Sequence, residues 1–164
     1  MLKKLHTVNL SHNKIRVVEG LEGMNEIKSL DLSHNLIAKI SDCEQLKELP
    51  ALTNLDLRNN QISDHNNLLP FFNEMQELLC LYVKGNPGIR MVTNFRREMT
   101  FNMKKLYYLD DRPITEIERA GIEAFKEGGK EAEAKVRDEI SKAALKKHLP
   151  SVKKLTEQMN EAKV

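Results

Sequence analysis

The chain has 164 residues, of which 40% are apolar and 30% charged, whereas only 5% are aromatic and none is tryptophan. A chain of this length holds one domain, or a small domain with an extension, and its core must be built from aliphatic side chains. The net charge of +2 is too small for strong attraction to nucleic acid or an anionic membrane, so we expect proteins as partners.

The two cysteines, Cys43 and Cys80, have no metal-ligand spacing and are predicted to be free thiols of an intracellular protein. No apolar run reaches the length of a membrane span, and Met1 leads into Lys3 and Lys4 without the apolar core of a secretion signal. These features predict a cytoplasmic or cytoskeletal protein with no cofactor and no zinc site.

Leucine, asparagine and isoleucine recur along the chain at one spacing. The pattern L-x-x-L-x-L-x-x-N-x-I begins at Leu5, again 22 residues later at Ile27, 25 residues later at Leu52, and more loosely 26 residues later at Leu78. The alternation of apolar and polar residues is typical of a short strand with one buried face. Amphipathic helices would require apolar spacings of three and four, so the pattern favours strands stacked in parallel.

The recurrent asparagines, Asn13, Asn35, Asn60 and Asn86, are predicted to be structural residues that bond backbone groups exposed at each turn. The segments between strands lengthen along the chain, which allows a single helical turn first and fuller helices later. The pattern resembles the leucine-rich-repeat class. It implies an α/β fold, an open solenoid with parallel strands on the concave face and helices or turns on the convex face.

The two ends of the solenoid require separate predictions, because each repeat covers its apolar face only with a neighbour. At the C-terminal end we expect a cap helix from about Phe95 to Met103, closing the core with Phe95, Met99 and Met103, and then a final edge strand. A ligand-binding aromatic cluster is the alternative. The start at Leu2 and Leu5 shows no cap, which predicts either a fragment of a longer protein or a dimer formed through this edge.

By domain, we expect residues 1–112 to form about four repeats with the cap strand, and residues 113–164 to form a charged helical extension. Thr115 and Glu118 have the spacing of a capping box at its first helix. Gly128-Gly129 should break that helix, and Pro150 should end the next. The extension is either a partner-binding helix or a solvated helix that passes into disorder.

The cap and tail carry the most specific resemblance. The residues that carry it are Asn86-Pro87, Asn94-Phe95-Arg96-Arg97, Leu106-Tyr107-Tyr108-Leu109-Asp110-Asp111-Arg112-Pro113 and the segment from Arg119-Ala120 to Gly128-Gly129. This segment resembles the leucine-rich-repeat axonemal dynein assembly factor of ciliated cells. The resemblance implies a cytoplasmic factor that preassembles dynein arms for cilia or flagella, with dynein chains or chaperones as partners. The repeats alone also resemble the phosphatase-1 regulatory subunit, the axonemal dynein light chain and the spliceosomal U2 A-prime protein, which stay as alternatives.

Binding is predicted on the concave face of the sheet, where polar side chains alternate with the buried leucines. The candidate binding residues are Asn9, Asp31, Asn54, Asp56, Arg58, Tyr82, Lys84, Tyr108 and Asp110. The acidic residues and tyrosines among them form a stripe suited to a basic or amphipathic partner, because tyrosine supplies apolar area with a polar tip. The alternative is a face that is merely soluble.

Catalysis is not expected from these residues. Repeats place Asp31 and Asp56 side by side automatically, and no nucleophile accompanies them. His12 and His34 also align, but no third metal ligand repeats with them. Gly85-Asn86-Pro87-Gly88 is predicted to be a turn and not a phosphate loop.

An RNA-binding alternative would use basic residues around the cap. These residues are Arg90, Arg96, Arg97, Lys104 and Lys105. A solvated helix face is the simpler interpretation, because the net charge of the chain is close to zero.

Overall fold

The computed structural model describes residues 4–161, with side chains described as far as residue 146. The chain divides into two compact units, Met1–Ile114 and Thr115–Val164. In the described part of the chain, every helix is too short or too polar to cross a lipid bilayer. The sequence-based expectation of an uncapped start concerns Leu2, which lies outside the described residues, and Leu5, which is partly buried.

The first unit is built on one sheet whose six strands follow chain order. The strands are β1 (Thr7–Asn9), β2 (Ser29–Asp31), β3 (Asn54–Asp56), β4 (Cys80–Tyr82), β5 (Tyr108–Leu109) and β6 (Arg112–Pro113). β1 to β5 pair in parallel, whereas β6 pairs antiparallel with β5. The parallel part has the α/β leucine-rich-repeat architecture that the sequence predicts.

The strands form because their central leucines enter a common core while their flanking residues stay at the surface. Leu30, Leu55 and Leu81 occupy equivalent register positions and are at most 1% exposed. Burying an aliphatic side chain of this size contributes about 1.5–3 kcal/mol, so the stacked leucines are the main stabilising element of the sheet. In the first repeat, Leu5, Val8, Leu10 and Ile15 are only partly buried.

The return segments become more helical along the chain, as their lengths predict. The first contains no helix, the second contains a 3-10 helix at Ile40–Glu48, and the third contains the α-helix α1 at His65–Asn73. A further 3-10 helix at Pro87–Met91 follows β4. Each longer segment gains room for one more turn, and its apolar residues, such as Leu46 and Phe72, complete the core from the convex side.

The cap helix α2 spans Phe95–Asn102, in agreement with the sequence-based prediction. Phe95, Met99 and Met103 are 7%, 0% and 0% exposed, so they close the core of the last repeat. The guanidinium of Arg96 donates to the carbonyl oxygens of Leu109 (3.2 Å) and Pro113 (2.8 Å), which holds the β5–β6 hairpin against the cap helix. The sheet therefore ends in a hairpin and not in a single edge strand.

The second unit consists of α3, which spans Glu116–Glu161 and is interrupted at Gly129. The hydroxyl oxygen of Thr115 accepts the N–H of Glu118 at 3.1 Å, as expected for a helix cap. Gly129 has a φ of 73° and breaks the helix, also as expected. The backbone stays helical through Pro150, so the predicted helix end at that position is wrong: proline fits helical φ, although it removes one N–H donor and its ring crowds the carbonyl four residues earlier.

The two arms of α3 approach each other within this unit. A Cβ atom built on Gly121 would lie 2.7 Å from Nε of Arg137, which shows how closely the arginine side chain passes the first arm. On the second arm, Glu133 and Arg137 form an ion pair at 2.9 Å. The expectation of disorder in the tail falls partly on residues 162–164, which lie outside the described residues.

Candidate functional site: the concave face of the sheet

Three asparagines, Asn35, Asn60 and Asn86, form a buried ladder that fixes the spacing of the strands and therefore of the concave face. Asn60 donates to the carbonyl oxygens of Leu32 and Leu57 (both 3.0 Å), and its own oxygen accepts the N–H of Ile37 at 3.2 Å. Asn35 and Asn86 make equivalent bonds to the repeats before them. The asparagines thus bind backbone groups, as the sequence predicts, and their burial leaves no role in ligand recognition.

In β1, β2 and β3, the side chain of the last residue accepts a hydrogen bond from the turn that follows the strand. Asn9, Asp31 and Asp56 each direct Oδ1 to the backbone N–H two residues later, at 2.9 Å in every case. Such a bond replaces a backbone turn and is a common use of asparagine and aspartate. Their recurrence on the concave face therefore has a structural cause, and of the two aspartates Asp56 also binds Arg58 through Oδ2.

The fourth strand departs from this arrangement, because Tyr82 occupies the position of the turn-closing residue. Asp110 from the next strand takes over: its Oδ1 accepts the N–H groups of Val83 at 2.7 Å and Lys84 at 2.9 Å. Asp110 has a φ of 52°, in the left-handed region that aspartate tolerates better than most residues. It is consequently half-buried and bound to backbone, and not the freely projecting carboxylate that the sequence predicts.

Two tyrosines follow on the cap side of the face. The rings of Tyr82 and Tyr108 lie 5.7 Å apart between centroids and are tilted by 48°. Both residues are half-buried. Burial raises the pKa of Tyr82, with smaller contributions from Cys80 and Tyr108, while Arg58 acts in the opposite direction. The pair thus leaves part of its aromatic surface exposed at the cap end of the face.

Arg58 connects the acidic and aromatic parts of the face. Its Nη2 lies 2.5 Å from Oδ2 of Asp56, and its guanidinium lies over the ring of Tyr82 at 5.0 Å from the centroid. The hydrogen bond with Asp56 raises the pKa of Arg58, assisted by the nearby charges of Asp56 and Asp31. Lys84, the next cation along this edge, pairs with Asp111, and both of these side chains are 65% exposed.

The parallel register brings the predicted residues together. Asn9, Asp31, Asp56 and Tyr82 are aligned across four strands, and Asn54 and Tyr108 flank Cys80 in the adjacent row. Two residues that alternate with the inward-facing apolar residues are nevertheless buried: Ser33 is 5% exposed and Cys80 is 5% exposed. Ser33 is covered because its turn packs onto the neighbouring repeat, where its carbonyl oxygen accepts the N–H of His12.

The aligned histidines, His12 and His34, lie at the edge of the sheet, directly before the repeat asparagines Asn13 and Asn35. The rings of His12 and His34 are stacked with centroids 4.2 Å apart, and Nε2 of His34 lies 3.0 Å from Nδ2 of Asn59. His12, His34, Asn59 and Gly85 all have positive φ, so this position needs residues that tolerate the left-handed region. Stacked rings cannot direct their nitrogens at a common ion, and no group of three metal-binding side chains occurs among the described residues.

The repeat, the asparagine ladder and the parallel sheet define a class of protein, and the family comparison agrees. Residues 1–140 match the leucine-rich-repeat family model, so the chain belongs to the leucine-rich-repeat family.

Within this family, the chain is similar to proteins with one recurrent name. It is 40% identical over 101 residues to human dynein axonemal assembly factor 1, a match covering 62% of this chain and 14% of that protein. Identity to the Drosophila melanogaster homologue of that factor is 32% over 152 residues, covering 93% and 9% respectively. Identity to the leucine-rich repeat-containing protein ODA7 of Chlamydomonas reinhardtii is 38% over 90 residues, which cover 55% of this chain and 21% of that protein. The resemblance predicted from the cap and tail is therefore confirmed, and the chain spans at most about a fifth of these relatives.

Solved structures show the same fold. The Drosophila melanogaster SNF/U2A' complex contains a chain that matches with a TM-score of 0.62 and 29% identity, covering 79% of this chain and 74% of that one. The Chaetomium Mex67:Mtr2 structure matches with a TM-score of 0.50 and 28% identity, covering 64% and 68%.

Proposed function

We propose that this chain is a non-catalytic scaffold that binds protein partners during the assembly of axonemal dyneins, acting in the cytoplasm before the motors enter a cilium or flagellum. The observation that carries the proposal is the similarity to dynein axonemal assembly factor 1 from human and fly. The similarity to the fly homologue extends over 152 residues and therefore includes sequence beyond the repeats.

The geometry of the concave face supports a binding role. Asparagine and aspartate oxygens satisfy turn N–H groups along β1 to β3, while Tyr82 and Tyr108 at the cap end form no part of that backbone network. Half-buried tyrosines are frequent anchors of protein interfaces, because a rigid ring gives up little entropy on binding.

A genetic rescue tests the function in a flagellated cell that lacks this gene product. The full-length gene would be returned either unchanged or with Tyr82→Ala and Tyr108→Ala together. We expect the unchanged gene to restore axonemal dynein arms and the double variant to restore them poorly at equal protein abundance. Restoration of arms by neither gene, at normal abundance, would refute the role in dynein assembly.

A matched control separates the concave face from general surface changes. Met91, at the end of a convex 3-10 helix, is 64% exposed and apolar. Met91→Ala should rescue as well as the unchanged gene. If the double tyrosine variant also rescues fully, the binding surface lies elsewhere, on the convex side or on α3. Affinity capture with this protein from the same cells separates the alternatives. Recovery of phosphatase catalytic subunits or snRNP proteins in place of dynein chains would favour the other families that the repeats resemble.

A further inference from the structure

The concave face contains a cavity of about 240 Å³ between β2, β3 and β4. Ser29, Asp31, Asn54, Asp56 and Tyr82 contribute to its lining. Two carboxylates and one aromatic ring thus face a common space in the middle of the sheet. We refer to this cavity, together with the adjoining ring of Tyr108, as the notch.

One guanidinium of the chain itself, that of Arg58, already binds two of the groups that line the notch, Asp56 and Tyr82. Arg58 bonds Asp56 through Nε and Nη2 and lies over Tyr82, so a carboxylate and a ring face bind it together. Arginine suits such a site because its planar cation both stacks on rings and forms paired hydrogen bonds. The arrangement shows which ligand chemistry this surface accommodates.

A second carboxylate and a second ring, those of Asp31 and Tyr108, lie nearby, and no cation of the described residues binds them. Oδ1 of Asp31 accepts the N–H of Ser33, but Oδ2 has no hydrogen-bond or ion-pair partner within the part of the chain that the structure describes. Tyr108 likewise has no cation over its ring among those residues. Arg58 balances only one of the two carboxylates, so the notch retains a negative charge.

We propose that the notch receives a basic segment of a protein partner, in which an arginine side chain pairs with Asp31 and a second cation lies over Tyr108. Arg58 then acts as an internal guest: it neutralises Asp56 and covers Tyr82, and so keeps a partner cation away from these two groups. This names the chemistry of the partner that the concave face would bind, and it rests on the protein-binding role proposed above.

A direct binding measurement tests this with fluorescence anisotropy at low ionic strength. The probe is a fluorescein-labelled peptide of alternating arginine and glycine, and a peptide of alternating glutamate and glycine serves as the opposite-charge control. We expect the arginine peptide to bind and the glutamate peptide not to bind. Equal binding of both, or of neither, would overturn the proposal. The assay uses no dynein, so failure here leaves the genetic rescue as a separate result.

The first variant pair isolates the carboxylate of Asp31. Asp31→Asn keeps the Oδ1 acceptor for Ser33, as Asn9 does at the equivalent position, and removes only the charge. It should weaken binding about threefold to fivefold, the range for a solvent-accessible ion pair. Glu48→Gln, an exposed convex residue, removes the same charge and should leave binding unchanged. Equal losses in the two variants would show a general charge effect and overturn the proposal.

The second pair tests the internal guest and predicts a gain of affinity. Arg58→Ala should tighten peptide binding about threefold, since it exposes Asp56 and Tyr82 to the incoming cation. Lys84→Ala removes a cation outside the notch and should have a smaller effect. Weaker binding by Arg58→Ala would mean that Arg58 contacts the ligand itself, and this result would refute its role as a competitor.

Discussion

The two ends of the parallel sheet differ in which residue accepts the N–H groups of the turn that follows each strand. At β1, β2 and β3, an asparagine or aspartate closes its own turn. At β4, Tyr82 stands in that position and Asp110 closes the turn from the neighbouring strand. The cap end thereby gains an aromatic surface without leaving turn N–H groups unsatisfied. Tyr82 takes no part in closing its turn because Asp110 supplies the acceptor.

The largest expected effect comes from the apolar interior that both ends share. Leu32 is 1% exposed, so Leu32→Asp would bury a carboxylate without a partner. The cost of several kcal/mol is comparable with the stability of a small domain, and we expect loss of the cooperative unfolding transition. Thermal denaturation followed by circular dichroism measures it. Ser29→Asp, half-buried in β2, should keep the transition, and native-like melting of both would show that the strand register is wrong.

The asparagine ladder should show the next largest effect. Asn60→Ala removes bonds to Leu32, Leu57 and Ile37. The two carbonyl oxygens keep their bonds from Asn35 and Asn86, whereas the N–H of Ile37 loses its acceptor. The unsatisfied N–H costs about 1–3 kcal/mol and each lost hydrogen bond about 0.5–1.5 kcal/mol more, so urea denaturation should report a loss of at least about 2 kcal/mol. Asn13→Ala provides the comparison, because Asn13 is exposed and bonds only carbonyls near its own turn. Equal losses for the two variants would contradict the ladder.

Asp110, which accepts the turn N–H groups that follow β4, should show a smaller effect, and its size should depend on the residue that replaces it. Asp110→Ala leaves the N–H groups of Val83 and Lys84 without their acceptor and should cost about 1–3 kcal/mol in urea denaturation. Asp110→Asn retains the oxygen and also tolerates a positive φ, so most of this stability should remain. If alanine and asparagine destabilise equally, the carboxylate acts through its charge and the borrowed hydrogen bond is unimportant.

The smallest effect at neutral pH concerns the interior thiol. Burial, followed by the charges of Asp42, Asp64 and Glu44, raises the pKa of Cys43 from 9.0 to about 12. Between these values the unfolded chain releases the thiol proton and the folded chain keeps it, so stability should fall as pH rises through this window. Cys43→Ala should show a shallower decline in urea titrations at increasing pH. Parallel declines in the two proteins would place the titrating group elsewhere.

Much of the fold follows from sequence periodicity alone. The L-x-L alternation identifies the strands at Leu30, Leu55 and Leu81, because a leucine that recurs in phase must face the core. The cap helix also follows, since apolar residues every four positions define one helical face. The backbone at Pro150 could not be predicted in this way: proline is compatible with helical φ, and whether it ends a helix depends on the surrounding structure.

The candidate site could be predicted only in part. The register aligns Asp31 with Asp56 and Asp56 with Tyr82, as equal repeat positions require. The hairpin after β5 turns the backbone of Asp110 into the left-handed region and directs its carboxylate to β4, and no repeat spacing encodes this. The bond between Arg96 and the hairpin carbonyls was also not predicted, since it joins two elements that are unrelated by the repeat.

The sequence by itself determined the repeat, the buried leucines and the asparagine ladder, because each depends on a local pattern that recurs at fixed spacing. Only the tertiary structure decided which polar side chains on the concave face serve the backbone and which face solvent. Hydrogen bonds such as that from Val83 to Asp110 span 27 positions in the chain, and their existence depends on how neighbouring strands meet. The same applies to Arg58, whose placement over Tyr82 is produced by the packing of β3 against β4.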